Sequence, residues 1–244
     1  MKSNKDKQLE AEPISILVPT YNRRKFLPLL LQNLQGQAYP KPLIELVIDD
    51  DGEEPLIPEE DRDKFAEQIK PITMKYIYNN KRRKTIGEKR NRLVKYATNK
   101  ICAFMDDDDI YHPHYLSHSF YMLKTKRAGL VGSNCMIFTY PEMDFKITAI
   151  RCQHKAQIHE ATMVFTKKYF ESMGGFLKTN KAEGQSFIMN RDHDIELTDI
   201  NSVMVCVAHT GNTVDKGMFA DKEVGQKLEN EELKELIKNI LELK

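Results

Sequence analysis

Asp106-Asp107-Asp108-Asp109 puts four carboxylates on consecutive residues, directly after the apolar run Ile101 to Met105. That run has the length and character of a buried strand. Carboxylates crowded at the end of a strand repel one another unless positive charge sits among them. A divalent cation is the simplest partner, because clustered aspartate oxygens are hard ligands. The carboxyl end of a strand is also where open α/β sheets bind ligands. The run therefore points to a metal-and-phosphate site. The plainer alternatives are a solvated acidic turn or a calcium loop, although the ligand spacing of an EF-hand is absent.

Two other strand ends carry polar groups. Ile14 to Val18 reads as a strand leaving into Pro19-Thr20-Tyr21-Asn22-Arg23, and Ile44 to Ile48 as a strand leaving into Asp49-Asp50-Asp51-Gly52. Helical spacing of Phe26, Leu27, Leu30, Leu31 and Leu34, stopped by Gly36, predicts a helix between them. A short helix near Asp61 to Ile69, a strand at Met74 to Tyr78 and a helix at Gly87 to Ala97 complete an alternating β-α pattern up to the aspartates. Such alternation calls for a mainly parallel, doubly wound sheet flanked by helices. In a parallel sheet the three polar strand ends converge on one edge, so a single site can use all of them.

The second half is less regular. It reads as a helix at Pro113 to Lys126, strands at Leu130 to Ser133, Met136 to Tyr140, Lys146 to Arg151 and Thr162 to Thr166, and a short helix at Lys167 to Met173. A β-rich run follows at Ser202 to Ala208, and apolar residues from Asp221 to Leu243 (Val224, Leu228, Leu233, Ile237, Ile240, Leu241) approximate one helical face. No linker divides the chain. The expected organisation is a loose arm over 1–12 and one domain over 13–244, with a nucleotide half (13–110), an acceptor half (111–220) and a C-terminal helix (221–244).

Composition narrows the class. Lys and Arg number 37 against 36 Asp and Glu, so bulk charge gives no support for nucleic-acid binding. No apolar run approaches the roughly 18 residues of a membrane span. The four cysteines (Cys102, Cys135, Cys152, Cys206) form no Cys-x-x-Cys pair and suit free thiols in a reducing compartment. A polar start, Met1 to Glu12, does not read as a signal peptide. The expectation is a cytoplasmic protein, peripheral to a membrane at most.

Val18 to Arg23, Val47 to Gly52, Gly87-Glu88-Lys89-Arg90-Asn91 and Phe104 to Asp109 occur in the order and spacing of family 2 glycosyltransferases of the GT-A fold, which this chain resembles. The resemblance is strong over residues 14–110 and weaker to about 215. It implies an inverting, metal-dependent transfer of a sugar from a nucleotide-diphosphate donor, UDP-linked by preference, to an acceptor hydroxyl. By the same resemblance, Asp50 or Asp51 would contact base and ribose, with Pro19, Thr20, Tyr21 and Arg23 on the nucleotide side. Asp49 to Asp51 also suit a plain Asx-rich turn. Asp106-Asp107-Asp108 matches the family's Asp-any-Asp motif. Asp106 would face ribose and metal-bound water, Asp107 would share the donor side while turned away, and Asp108 would bind Mn²⁺ or Mg²⁺. Arg90 matches an arginine near the diphosphate, where a guanidinium pairs bidentately.

In the family the base that takes the acceptor proton follows a Gly-Gly-Phe segment. Here Gly174-Gly175-Phe176 leads to Glu183-Gly184, where the usual Glu-Asp pair has lost its aspartate. Glu183 is the expected base, with Asp192 and Asp194 as rivals. His209 follows a strand, like a family histidine that nears the metal late in the fold, and imidazole is an acceptable Mn²⁺ ligand; a structural role suits it equally. His112, His114 and His118 read as surface or acceptor-loop residues. Two rivals stand beside the glycosyltransferase reading: a sugar-phosphate nucleotidyltransferase, which would open on a Gly-rich phosphate loop that is missing after the first strand, and a non-catalytic nucleotide-sugar-binding module.

Overall fold

The computed structural model of the chain describes residues 9–189 and 191–243. Residues 1–8 of the expected arm over 1–12, Asn190 and Lys244 lie outside the described residues. The first half runs β1 (Ile14–Thr20), α1 (Leu27–Gly36), β2 (Ile44–Asp50), α2 (Arg62–Ile69), β3 (Thr73–Tyr78), α3 (Ile86–Tyr96) and β4 (Ile101–Phe104). There follow β5 (Ile110–Tyr111), α4 (Tyr115–Thr125), β6 (Leu130–Gly132), β7 (Cys135–Tyr140), β8 (Lys146–Arg151), β9 (Val164–Thr166), α5 (Lys167–Met173) and α6 (Gln185–Ile188). The chain closes with β10 (Ile195–Leu197), β11 (Met204–Val207), β12 (Glu223–Lys227) and α7 (Glu231–Leu241).

Among the described residues the strands form two sheets. The larger has the order β10-β6-β9-β4-β1-β2-β3, the smaller β12-β8-β7-β11-β5. β1 lies parallel to both β2 and β4, and β2 parallel to β3. β2 and β4 are buried throughout, and β1 is buried at every residue but Pro19. Continuous apolar runs of this kind belong to strands covered on both faces. One face carries Ile16, Ile48 and Ala103 into a core with α1 and α4; the other carries Leu17, Val47 and Phe104 against Leu93 and Val94 of α3. Three carboxyl ends, of β1, β2 and β4, therefore open on one edge, as the alternation of the sequence requires. β9 runs antiparallel to both of its neighbours, β4 and β6.

α3 begins at a capping box: Thr85 accepts the Glu88 amide and Glu88 accepts the Thr85 amide, the Thr-x-x-Glu pattern that satisfies both orphan donors. The expected helix over 221–244 is corrected. Glu223–Lys227 is instead a strand that pairs antiparallel with β8, and the helix starts only after Asn230, whose side chain caps Leu233 N–H. Gly225 has φ +71°, outside the helical region, and Val224 is exposed rather than on a buried helical face. Satisfying the free edge of β8 outweighed the apolar spacing. Leu233, Ile237 and Ile240 do pack inward, against Phe26, Leu29 and Phe145.

Glu45 of β2 is a buried acid at the opposite end of the sheet. It accepts from Ser15 Oγ at 2.5 Å, from Thr98 N–H at 2.8 Å and from Lys75 Nζ at 2.8 Å. Burial pushes its carboxyl up, and the Lys75, Ser15 and Thr98 donors override that, bringing it from 4.5 down to about 2. A folded-state value below the unfolded one gives stability that is present above pH 4.5 and lost as pH falls toward 2. Urea titrations of wild type and Glu45→Gln between these limits are expected to show a steeper acid loss of stability in the wild type. Parallel curves would show that Glu45 is not responsible.

Candidate active site

The acidic run is held by separate partners for each carboxylate. Asp106 N–H donates to Tyr111 Oη at 2.9 Å, and Tyr111 in turn donates to the Ala161 carbonyl at 3.0 Å, which fixes the chain as it leaves β4. Asp107 turns inward and accepts from Thr20 Oγ1 at the end of β1. Asp109 accepts from Val207 N–H at 2.9 Å, and Asn33 of α1 donates to its carbonyl at 2.8 Å, so it ties β4 to β11 and α1. Burial pushes the Asp107 and Asp109 carboxyls well up, and the Asp108 charge adds to both. Burial also raises Asp106, against the Arg90 charge.

Asp108 is different. Burial would raise it, but His209 and Arg23 override burial and hold it below the ordinary aspartate value. Arg23 Nη2 lies 3.2 Å and His209 Nε2 3.1 Å from its Oδ2. Asn22, in the left-handed region at φ +53°, turns the chain out of β1 and delivers Arg23 to this point. Arg23 also donates to the Gly211 carbonyl, and His209 packs 4.8 Å from the Phe26 ring. Gly211 N–H donates to His209 Nδ1 at 3.1 Å, which assigns the proton of a neutral ring to Nε2, where it meets Asp108.

The positive side comes from α3. Lys89 Nζ reaches the Thr20 carbonyl and Asp51 Oδ1, both at 2.8 Å. Arg90, its side chain 5% exposed, lies over the Phe104 ring at 4.2 Å, with Nε 3.1 Å from Glu183 Oε1 and Nη2 3.7 Å from Asp106 Oδ1. The latter spacing is an ion pair too long for a hydrogen bond. Arg90 Nη1 and Asp106 Oδ1 are both buried without a hydrogen-bond partner. Gly87 lets this helix end lie against the 177–183 segment, since a Cβ there would meet the Leu177 carbonyl at 1.7 Å.

These groups face a cleft of about 740 Å³, whose walls include Pro19, Tyr21, Arg23, Arg90, Glu183 and all four aspartates, Asp106 to Asp109. Arg83 lies over the Tyr21 ring at 4.0 Å. Other sequence candidates sit behind the wall. Asp50 is fully buried and accepts from Gly52 N–H, Leu56 N–H and Tyr76 Oη, while Asp51 accepts from Lys89 Nζ and Lys84 N–H. Both acids shape the loop after β2, as the Asx-turn alternative has it, and neither lines the cleft. Thr20 likewise faces Asp107. Asp192, Asp194 and the histidines 112, 114 and 118 lie off the cleft. Sequence reasoning gave no role to Lys89 or Arg83 and did not name Glu160, which also lines the cleft and accepts from Gly184 N–H at 3.1 Å.

A β3-β2-β1-β4 parallel core, acids at its carboxyl edge and a smaller sheet beyond them make this a GT-A fold. The chain belongs to glycosyl transferase family 2, whose description matches residues 15–191. It is similar to EpsH of Bacillus subtilis (strain 168), a protein assigned as a glycosyltransferase, at 26% identity over 117 residues, 48% of this chain and 31% of EpsH. Among solved structures it is similar to S. aureus TarS 1–349 in complex with UDP (TM-score 0.63, 19% identity, 80% of this chain and 60% of that one). It is also similar to the mannosyltransferase PcManGT of Pyrobaculum calidifontis in complex with GDP-Man and Mn²⁺ (TM-score 0.62, 20% identity, 86% and 59%). The chain thus spans about a third of EpsH and about three-fifths of these two structures.

Lys89 and Asp51 form a buried pair whose side chains are 5% and 0% exposed. Lys89→Met leaves Asp51 charged and unpaired, a loss of about 3–5 kcal/mol, seen as a melting point lowered by on the order of 10 °C. Adding Asp51→Asn is expected to recover much of it. An unchanged melting point in the single variant would contradict the pairing.

Proposed function

We propose that this cleft binds a nucleotide-diphosphate sugar, UDP-linked by preference, and transfers the sugar to an acceptor hydroxyl in glycan synthesis by a single inverting displacement. The observation that carries this reading is the juxtaposition of two buried atoms without a hydrogen-bond partner, Arg90 Nη1 and Asp106 Oδ1, beside Asp108 in one cleft. Buried polar atoms are rarely left without a hydrogen bond, and a diphosphate with its hydrated counter-cation would supply an acceptor to the first and a close donor or cation contact to the second. Tyr21 and Arg83 offer a stacking surface for a base on the β1 side.

Among the described residues no three His, Cys, Asp or Glu side chains converge as a ready-made metal cage. That suits Mg²⁺ or Mn²⁺, which takes one or two protein carboxylates and completes its shell with substrate phosphates and water. Asp108 and Asp106 would hold it, with His209 joining only if Nε2 gives up its proton and the bond to Asp108. The cation, when bound, offsets the negative charge growing on the leaving diphosphate. Arg90 and Arg23 would orient phosphate oxygens from either side. An acid of the Glu160–Glu183 pair takes the proton of the attacking hydroxyl.

A thermal-shift titration of UDP, GDP, ADP and CMP, each with Mn²⁺ or EDTA, tests the reading. A ligand of the folded state at 100 times its Kd adds about 2.7 kcal/mol. The expected result is a Mn²⁺-dependent rise with a nucleoside diphosphate, UDP first, abolished in Asp108→Ala. No rise with any of the four would sink the proposal. A cytidylate preference without diphosphate dependence would favour nucleotidyl transfer.

A further inference from the structure

Three features of the cleft wall converge at position 184. Gly184 has φ −78° and ψ −9°, a backbone any residue adopts. A Cβ built there would lie 2.7 Å from Glu160 Oε1 and 3.1 Å from Glu160 Cδ, so the Glu160 carboxylate fills the space of a side chain at 184. Gly184 N–H donates to that same Oε1 at 3.1 Å. Glu160 arrives from a different element, the single 3-10 turn Glu160–Thr162 before β9.

Its neighbour Glu183 is engaged otherwise. The Glu183 side chain is 7% exposed, and its Oε1 accepts from Arg90 Nε. That ion pair holds the Glu183 carboxylate against Arg90 and occupies its Oε1. Glu160 is only half-buried and has no side-chain donor on Oε2 among the described residues. Of the acids lining the cleft, the reading above gives Asp106 and Asp108 to the cation, and Asp107 and Asp109 are bound to Thr20 and to Val207 N–H, which leaves Glu160 and Glu183.

We propose that Glu160, rather than Glu183, is the base, its carboxylate supplied from the turn before β9 into the place of the side chain that Gly184 lacks. The proposal rests on the glycosyl-transfer reading above. In the step, the acceptor oxygen forms a bond to the anomeric carbon as the bond from that carbon to the diphosphate oxygen breaks. The electron pair of the broken bond leaves on the diphosphate, and the hydroxyl proton passes to Glu160 Oε2, later to be lost to water. Glu183 keeps Arg90 in place. Burial and the adjacent Glu183 charge push the Glu160 carboxyl up, with Arg90 opposing, which favours proton capture.

The test is hydrolysis of UDP-GlcNAc and of GDP-mannose with Mn²⁺, water serving as acceptor, in the full chain, alongside nucleoside-diphosphate binding. Glu160→Gln keeps an oxygen for Gly184 N–H and is expected to fold, to bind nucleotide as wild type does, and to lose about 10²–10⁴-fold in kcat. Glu160→Ala/Gly184→Asp returns an acid to the same space and is expected to recover at least tenfold over Glu160→Ala, which a purely structural role would not give. Full kcat in Glu160→Gln, with loss confined to Glu183→Gln, would overturn the assignment. So would a wild type that binds nucleotide but cleaves neither donor. A wild type that binds no nucleotide would remove the glycosyl-transfer reading and this inference with it.

Discussion

Four adjacent carboxylates cannot share one place, and the site is organised by the need to separate them. Alternating directions of the chain after β4 send Asp107 back to Thr20 and Asp109 down to Val207 N–H, both buried. Of the four, all of which border the cleft, Asp106 and Asp108 are left only half-buried. Their charges then require partners from elsewhere in the chain: Arg90 from α3, Arg23 from the turn after β1, and His209 after β11. Burial and the neighbouring Asp108 and Asp106 charges push the Asp109 carboxyl well up. Asp108, between a guanidinium and an imidazole, is held below the ordinary aspartate value.

α3 transmits this arrangement to the rest of the fold. Its cap at Thr85 fixes where the helix begins, and its next residues then project in turn toward β2, β4 and the 177–183 segment. Lys89 neutralises Asp51, Arg90 bridges Asp106 and Glu183, and Asn91 Nδ2 donates to the Phe176 carbonyl at 2.8 Å. Helical geometry alone gives three successive residues three different directions. A single helix thereby ties the loop after β2, the acidic run and the 176–183 segment together. Arg90 stacks on Phe104 and is held by Asp106 and Glu183, while its Nη1 keeps no hydrogen-bond partner.

Much of this was legible in the sequence, and the boundary of legibility has physical causes. β1, β2 and β4 announce themselves as uninterrupted apolar runs, and the polar residues that follow each one mark the sheet edge. The motifs at those edges carry the resemblance to family 2 glycosyltransferases of the GT-A fold, which the family match over residues 15–191 bears out. The second half resists reading because β5, α6 and β10 span two to four residues, too short for any period to show. Val224 and Leu228 carry helical spacing, yet the open edge of β8 took that segment as a strand. Within the site, Arg23, Asp108 and His209 could be named from neighbouring motifs. Glu160 could not, since its partner Gly184 lies 24 residues on and only folding joins them. Asp50 and Asp51 were named for a ligand, but their oxygens are consumed by the loop that they shape.

The central claim is that the cleft beside Asp108 receives a diphosphate together with a divalent cation. Anomalous scattering from crystals grown with Mn²⁺ and UDP, or GDP in its place, addresses it directly. The account predicts a manganese peak within about 2.0–2.6 Å of an Asp108 carboxylate oxygen, bridged to the diphosphate, with Arg90 contacting a phosphate oxygen and the base toward Tyr21. A manganese peak away from Asp108, or a nucleotide bound outside this cleft, would contradict it.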